Sequence, residues 1–238
     1  MAAPAALSER LLRAVRTDEP TDELEAELSA LDPETLAGAL DSDGARLAFW
    51  VNLYNAAAQR ALAENPDQYD NRRAFFKTPL LTVAGEPLSL DEIEHDILRR
   101  SYHKLTLGYV RSPFRDEFLD RQAVSERDPR IQFALNCGAE SCPPIVAYTP
   151  DGIDEQLDWA TEAYLDRTVE YDPEAGRVTV PRVMLWFRGD FGGKRGIYEF
   201  LHEYDQLPSG ATPSVSYHDW DWSLRPGNYA ERGNPPQP

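Results

Sequence analysis

Two cysteines, Cys137 and Cys142, are the only thiols of the chain, and they stand in one short stretch with four residues between them. An apolar run at residues 131–135 leads into this stretch and predicts a short buried strand. Gly138 then interrupts the regular structure, and the Pro–Pro pair after the second cysteine forces an extended exit. A strand that ends in a kinked loop holds side chains rigidly at a surface, so this loop is the first candidate site.

Cys137 is the better nucleophile of the two on local grounds. A thiol nucleophile needs a pKa lowered from about 8.5 and an imidazole base within hydrogen-bond reach. The backbone N–H groups of Gly138 and Ala139 follow Cys137 and are candidates for stabilising an oxyanion, whereas the prolines after Cys142 have no N–H. The first hypothesis is therefore thiol-dependent hydrolase or acyl-transferase chemistry at Cys137, with Cys142 among the substrate-binding residues.

The base is predicted on a second segment. Ser89 to Glu92 has the pattern of a capping box that opens a helix to about Arg100. Glu94 falls in the middle of the apolar stripe of this helix, where an unpaired carboxylate is costly, so it needs an arginine, a metal or a histidine partner. His95 lies at the edge of the stripe and is the predicted base, with Glu94 or Asp190 to orient it.

The strongest predicted helix, Arg46 to Asn65, carries uncharged amides at Asn52, Asn55 and Gln59 on an otherwise apolar surface. Buried amides must be hydrogen-bonded, so this stripe faces backbone, water or a ligand. It either anchors a neighbouring loop or contacts substrate. In the second case the predicted substrate-binding residues are Asn52, Asn55, Arg130, Asn136 and Cys142.

Two other classes of function stay open. A metal site would use Cys137, Cys142, His95 and a carboxylate, although four intervening residues is wider than the usual zinc-knuckle spacing. A non-catalytic binding or scaffold module would bury the cysteines as small apolar residues and pair Glu94 with Arg130. We predict no cofactor and no metal in the preferred site, and a small molecule or a peptide as the ligand.

The charge balance restricts the classes of molecule that we expect this chain to bind. The chain has 41 acidic and 24 basic residues, a net charge of −17, and only three lysines. Such a field repels nucleic acid and anionic membranes, so we expect neither as a partner. An acidic, lysine-poor chain suits a halophilic cytoplasm, where salt screens its self-repulsion. The first ten residues lack the pattern of a signal peptide, which also favours a cytoplasmic protein with reduced thiols.

Periodicity along the rest of the chain predicts an α+β fold, a single helix-rich domain with a small, mainly antiparallel sheet. Hairpins are expected at residues 75–88 and 169–180 and a strand within 214–222. We expect a helical arm over residues 1–45 that packs on the domain, a core domain over 46–224 and a loose tail over 225–238.

Several spaced segments resemble a known family. Phe49-Trp-Val-Asn-Leu-Tyr-Asn-Ala56, Ile93-Glu-His-Asp-Ile-Leu-Arg99, the stretch from Asp128 to Pro144 and Trp186-Phe-Arg-Gly-Asp-Phe191 follow one another as in the domain of unknown function 547 family, and Asp221-Trp-Ser-Leu224 resembles its closing motif. The resemblance covers roughly residues 40–225.

That family is defined by its sequence rather than by an assigned reaction, so the resemblance implies no substrate. It often has a histidine immediately before the Phe133 position, where this chain has Gln132. The order of histidine before cysteine is the reverse of ordinary papain-like enzymes and is similar to circularly permuted relatives, which makes a distant permuted papain-like fold an expectation.

Overall fold

Helices occupy the first part of the chain, where short apolar repeats alternate with capping residues. The computed structural model describes residues 3–230. The first four helices are α1 Pro4–Thr17, α2 Asp22–Ser29, α3 Pro33–Ala39 and α4 Asp43–Glu64. Asp32 caps α3 by accepting a hydrogen bond from the Thr35 N–H at 2.8 Å, as an Asp–Pro start predicts.

Helix α4 lies at the centre of the fold. Buried side chains surround it, Trp50 and Leu53 among them, and its polar stripe is buried as well. Helix α1 packs along α4 and contributes Leu7 and Leu11 to the same apolar core. The N-terminal helices are thus held to the rest of the protein by leucine burial.

The connection after α4 leads to the first predicted hairpin. A 3-10 helix, Pro66–Asn71, and α5, Arg72–Lys77, precede the antiparallel strands β1 Pro79–Val83 and β2 Glu86–Ser89. The turn between the strands uses Ala84 and Gly85, both with positive φ. The hairpin packs against α2 and α4.

The predicted capping box is present at the start of the next helix. The Ser89 N–H donates to Glu92 Oε2 at 2.8 Å, and the Glu92 N–H donates to Ser89 Oγ at 3.3 Å. The helix itself is a π-helix, Glu92–Leu98, in place of a regular α-helix. The Arg99 N–H reaches back five residues to the Glu94 carbonyl at 2.9 Å. Such wide turns are rare and are frequent at functional sites.

The second half of the chain forms a mixed layer of helices and strands. Its elements are α6 Glu117–Gln122, α7 Ile153–Thr168, β3 Glu170–Asp172, β4 Arg177–Val180, α8 Val183–Trp186, α9 Gly193–Glu203 and β5 Ser214–Tyr217. β3 pairs antiparallel with β4, and β5 joins the other edge of β4 in parallel. The fold is α+β and helix-rich, with small and mainly antiparallel strand pairing, as the sequence predicts.

The strand predicted at residues 131–135 is wrong. The chain forms a 3-10 helix at Pro129–Phe133, capped by Asp128, which accepts a hydrogen bond from the Arg130 N–H at 2.9 Å. Proline at the first helical position favours this start. Phe133 is fully buried in a second apolar core, stacked on Phe200 with ring centroids 5.8 Å apart. A short buried apolar run is compatible with either structure, and here the cap favours the helix.

The predicted loose tail divides into two parts. Residues 225–230 are tied to the cysteine loop, since the Arg225 N–H donates to the Gly138 carbonyl at 2.7 Å and the Ala230 N–H to the Ile145 carbonyl at 3.1 Å. Residues 231–238 lie outside the described residues. Over residues 3–230, no helix combines the length and the apolarity that crossing a bilayer requires.

Candidate functional site

One cavity of about 340 Å³ joins residues from the middle and the end of the chain. Ligand sites in proteins span roughly 300 to 1,000 Å³, so it is large enough for a small molecule. Its polar lining includes Glu94 and His95 from the π-helix and Cys137 and Cys142 from the cysteine loop. Four of the predicted site residues therefore face the same space.

The two sulfur atoms of the cysteine loop are in contact. Sγ of Cys137 lies 3.3 Å from Sγ of Cys142, and both are free thiols. The Cys142 thiol lowers the pKa of Cys137 below its ordinary value, with help from the nearby Ala139 N–H and against the effect of burial. Burial raises the pKa of Cys142 well above its ordinary value. Cys137 is thus the sulfur that ionises first.

The amide stripe of α4 holds this loop in place. Asn55 Oδ1 accepts a hydrogen bond from the Asn136 N–H at 2.8 Å, and its amide nitrogen donates to the Ala134 carbonyl at 2.9 Å. Gln59 donates to the Asn136 side chain at 3.1 Å. Asn136 in turn accepts from the Gly138 N–H at 2.8 Å and donates to the Pro143 carbonyl at 2.7 Å. The stripe anchors a neighbouring loop, the first of its two predicted roles.

Gly138 is required by its surroundings. Its φ of 90° lies in the region that favours glycine, and a Cβ there would come within 2.3 Å of Leu62 Cδ1. The predicted oxyanion role of this backbone is not supported by the geometry. The Gly138 N–H is used by Asn136, and neither Gly138 nor Ala139 lines the cavity.

Glu94 is a buried carboxyl group, as its place in the apolar stripe predicts. Burial raises the pKa of Glu94 to about 7, against the opposing effect of the Arg99 charge. The Tyr54 hydroxyl donates to its Oε2 at 3.3 Å. It does not pair with Arg130, contrary to the scaffold hypothesis. A group with this pKa exchanges a proton readily at neutral pH.

The hydrogen bonds of His95 fix which nitrogen carries the proton. Arg99 Nη1 lies 2.9 Å from Nδ1, and a guanidinium has only donors, so Nδ1 accepts. Burial, together with the Arg99 and Lys104 charges, holds the pKa of His95 well below its usual range, so the ring is neutral with its proton on Nε2. His95 makes no hydrogen bond to Cys137 or Cys142 in the described structure. Carboxyl oxygens face both nitrogens, Glu94 Oε1 at 3.4 Å from Nδ1 and Asp91 Oδ1 at 3.6 Å from Nε2, and a catalytic role for His95 stays a prediction.

Asp190 acts on His95 through an intermediary. Arg99 is fully buried and binds Asp190 with two nitrogens, Nε at 2.5 Å from Oδ2 and Nη2 at 3.2 Å from Oδ1. Arg127 adds a second cation 2.5 Å from Oδ1. The Arg99 guanidinium also lies 4.2 Å from the centroid of the Phe187 ring. Asp190 therefore orients Arg99, and Arg99 orients the imidazole.

Tryptophans form the apolar wall of the cavity. The rings of Trp186, Trp220 and Trp222 contact one another, with centroids 5.3 Å, 5.8 Å and 5.9 Å apart. Trp186 comes from α8, and the other two from the segment after β5. Phe76 and Phe187 extend the wall. The cavity offers one polar end with the thiols and Glu94 and one broad aromatic face.

Four of the five predicted substrate-binding residues do not line the cavity. The Asn52 side chain forms two hydrogen bonds with the Tyr148 backbone, at 2.8 Å and 2.9 Å. Asn55 and Asn136 form the hydrogen bonds that anchor the cysteine loop. Arg130 is also elsewhere, in ion pairs with Asp128, Asp154 and Asp158. In residues 3–230 no three side chains of histidine, cysteine, aspartate and glutamate converge in a way that would hold a metal ion.

Sequence reasoning missed Arg99, Tyr54 and the three tryptophans. A signal for most of them was present, because they fall inside the spaced motifs. Tyr54 is in the central-helix motif, Trp186 in the motif that ends at Phe191 and Trp222 in the closing one. Gln132, where the family often has histidine, also lines the cavity. Motifs that are far apart in the sequence thus meet around one space.

Comparison with known proteins adds one finding. The family model described as "Protein of unknown function, DUF547" matches residues 39–165, just over half of the chain. The match includes both cysteines and His95 and stops before Asp190. No curated protein and no solved structure matches the chain, so a permuted papain-like fold stays a prediction.

Proposed function

The chain belongs to the DUF547 family, and for this member we propose that the tryptophan-walled cavity is the active site of a thiol-dependent acyl hydrolase or acyl-transferase. The observation that carries the proposal is that Cys137, Glu94 and His95 line one cavity large enough for a ligand. Its substrate is an ester, thioester or amide whose acyl group is apolar and packs on the aromatic face.

The roles follow from the protonation states. Cys137 is the nucleophile, because the neighbouring Cys142 thiol favours its ionised form. Glu94 takes the thiol proton, since it lines the same cavity as Cys137 and burial raises the pKa of this carboxyl group to about 7. The neutral His95 donates from Nε2 to the carbonyl oxygen as negative charge develops there.

The reaction proceeds in two displacements. The Cys137 sulfur bonds to the acyl carbon, and the bond to the leaving group breaks as Glu94 returns the proton to that group. Water or another acceptor then attacks the acyl carbon and loses a proton to Glu94, the C–S bond breaks, and Glu94 returns that proton to the Cys137 sulfur. Arg99 and Asp190 hold His95 in the donor orientation and are positioning residues.

Chromogenic esters test the proposal. We expect p-nitrophenyl esters of aromatic or medium-chain acids to give an initial burst and to react faster than the acetate ester. Cys137→Ser is expected to abolish the burst, and Glu94→Gln to lower kcat by on the order of 100-fold. Cys142→Ser is the comparison, because it keeps the nucleophile and removes the thiol that favours its ionised form, so the burst should remain but form more slowly. Equal rates for wild type and Cys137→Ser would contradict the proposal.

A non-catalytic binder of apolar ligands is the second candidate. One observation favours it, namely that the Gly138 N–H is used by Asn136, so it is not free to stabilise an oxyanion. A binder would change its tryptophan fluorescence with aromatic or aliphatic acids and show no turnover of any ester. Turnover that depends on Cys137 would exclude it.

A further inference from the structure

The cysteine pair itself supports a second chemistry, which does not depend on acyl transfer. We propose that Cys137 and Cys142 form a redox couple, in which Cys137 is oxidised by an organic hydroperoxide bound in the cavity and Cys142 resolves the product as a disulfide. The oxidant class is a hydroperoxide with an apolar group, because an aromatic wall lies beside the sulfurs.

The distance between the sulfurs is the first support. At 3.3 Å they are already in contact, and a disulfide bond of about 2.05 Å requires them to approach by roughly 1.3 Å. The loop backbone that brings the two sulfurs together is already held in place in the reduced protein. The loop is fixed by Asn55 and Asn136 on one side and by residues 221–225 on the other, where the Glu140 N–H donates to the Ser223 carbonyl at 2.8 Å.

Access is the second support. Both cysteines line the cavity, although each is at least nine-tenths buried. Cys142 also lines a second cavity of about 390 Å³, whose wall includes the charged side chains of Arg167 and Arg225. In this proposal the aromatic cavity is the route of an apolar oxidant to Cys137, and the second cavity is the route of a water-soluble thiol reductant to Cys142.

The opposite behaviour of the two thiols assigns their order. Cys142 favours the thiolate of Cys137, whereas burial keeps Cys142 protonated. A low-pKa cysteine next to a resolving thiol is the arrangement of reversible thiol oxidation. The pair is thus more than two buried apolar residues.

The oxidation consumes one hydroperoxide and forms one disulfide. The Cys137 thiolate attacks the terminal oxygen of the hydroperoxide, the O–O bond breaks, and the alcohol leaves with a proton, which gives Cys137 sulfenic acid. The Cys142 thiol then attacks the Cys137 sulfur, the S–O bond breaks, water leaves and the S–S bond forms. Two electrons pass from the dithiol to the peroxide. An external thiol returns them by two thiol–disulfide exchanges.

Mass spectrometry of the full-length protein tests this directly. With stoichiometric cumene hydroperoxide, we expect the wild type to lose two hydrogen atoms and both titratable thiols, and dithiothreitol to restore them. Cys142→Ser should stop at a sulfenic acid that dimedone traps, and Cys137→Ser should resist oxidation. Hydrogen peroxide should react more slowly than cumene hydroperoxide at equal concentration.

Several results would overturn the proposal. One is a wild type that keeps both free thiols in its native state, and another is direct addition of oxygen to Cys137 without loss of the Cys142 thiol. Equal rates with the two peroxides would overturn the apolar oxidant class. If Cys137→Ser fails to fold, the wild-type measurements still decide. They need no ester hydrolysis, so the redox and acyl-transfer proposals fail or stand separately.

Discussion

Glu94 is the residue whose surroundings oppose its charge most clearly. It is buried in the apolar stripe of the π-helix, and burial raises the pKa of this carboxyl group to about 7. The unfolded chain loses the same proton near pH 4.5, so the folded state binds more protons between these values. Stability must therefore fall as pH rises from about 4.5 to 7 and then level off. The size of this loss is about 3 kcal/mol at most.

We predict that Glu94→Gln removes this pH dependence. The free energy of unfolding of the variant, relative to wild type, should increase by about 2 kcal/mol between about pH 5.5 and pH 8, because glutamine never ionises and the rest of the wild-type loss falls below about pH 5.5. Urea unfolding between about pH 5.5 and pH 8, above the isoelectric point of 4.6, measures it. The exposed Glu86→Gln is the control and should show no trend. A difference that stays flat with pH would contradict the buried, protonated carboxyl group.

At the scale of elements, helix α4 has two roles, because it packs the main core and also positions the loops of the site. Its apolar surface fills the main core, and its polar stripe satisfies backbone groups of the loops around it. Asn52 and Asn55 are equally buried and each makes two bonds to backbone. Asn52 binds the Tyr148 backbone and also donates to the Ser8 hydroxyl at 3.4 Å, whereas Asn55 binds the cysteine loop.

These two residues make a matched pair of substitutions. We predict that Asn52→Ala and Asn55→Ala both lower the free energy of unfolding by on the order of 3 kcal/mol, since each leaves two buried backbone groups unpaired. Only Asn55→Ala should speed iodoacetamide labelling of Cys137 under native conditions. Chemical denaturation and labelling kinetics give the two readouts. Equal acceleration in both variants would mean that this stripe does not control the loop.

Local signals in the sequence were enough for most elements. The capping box at Ser89, the hairpin turns and the amphipathic helices depend on neighbouring residues, and the structure contains them. The strand prediction for residues 131–135 was wrong because a short buried apolar segment has no distinctive period. For the site, the sequence identified the thiols, Glu94 and His95. It did not identify the bond between Arg99 and His95, although residues four apart are neighbours on a helix, because the partner that buries Arg99, Asp190, lies 91 residues away in the sequence.

At the scale of the whole molecule, the excess of acidic residues dominates. A net charge of −17 on 238 residues is spread over a surface whose cations are nearly all arginine. Several of these arginines are used in local pairs, for example Arg130 with three aspartates. The remaining acids repel one another, and this repulsion favours the unfolded chain at low salt.

We predict that potassium chloride stabilises the protein. Raising KCl from about 0.1 M to 2 M shortens the screening length from about 10 Å to under 3 Å, so Tm should rise by several degrees. A variant with Glu86, Glu162 and Glu174 changed to glutamine is the comparison, since these exposed acids make no ion pair in the described structure. At low salt its Tm should be higher than that of the wild type, and its Tm should rise less as KCl is added. If Tm does not change with KCl in either protein, an adaptation to salt is excluded.

The tie between residues 221–225 and the cysteine loop has a consequence for the order of assembly. The thiols come from the middle of the chain. Two of the three wall tryptophans come from the end of the described chain, and so do residues 221–225, which hydrogen-bond to the cysteine loop. During synthesis both sulfurs leave the ribosome well before Trp220 and Trp222. The nascent protein must therefore pass through a stage in which its thiols are unshielded, and any chaperone or reductant that guards them has to act within that interval.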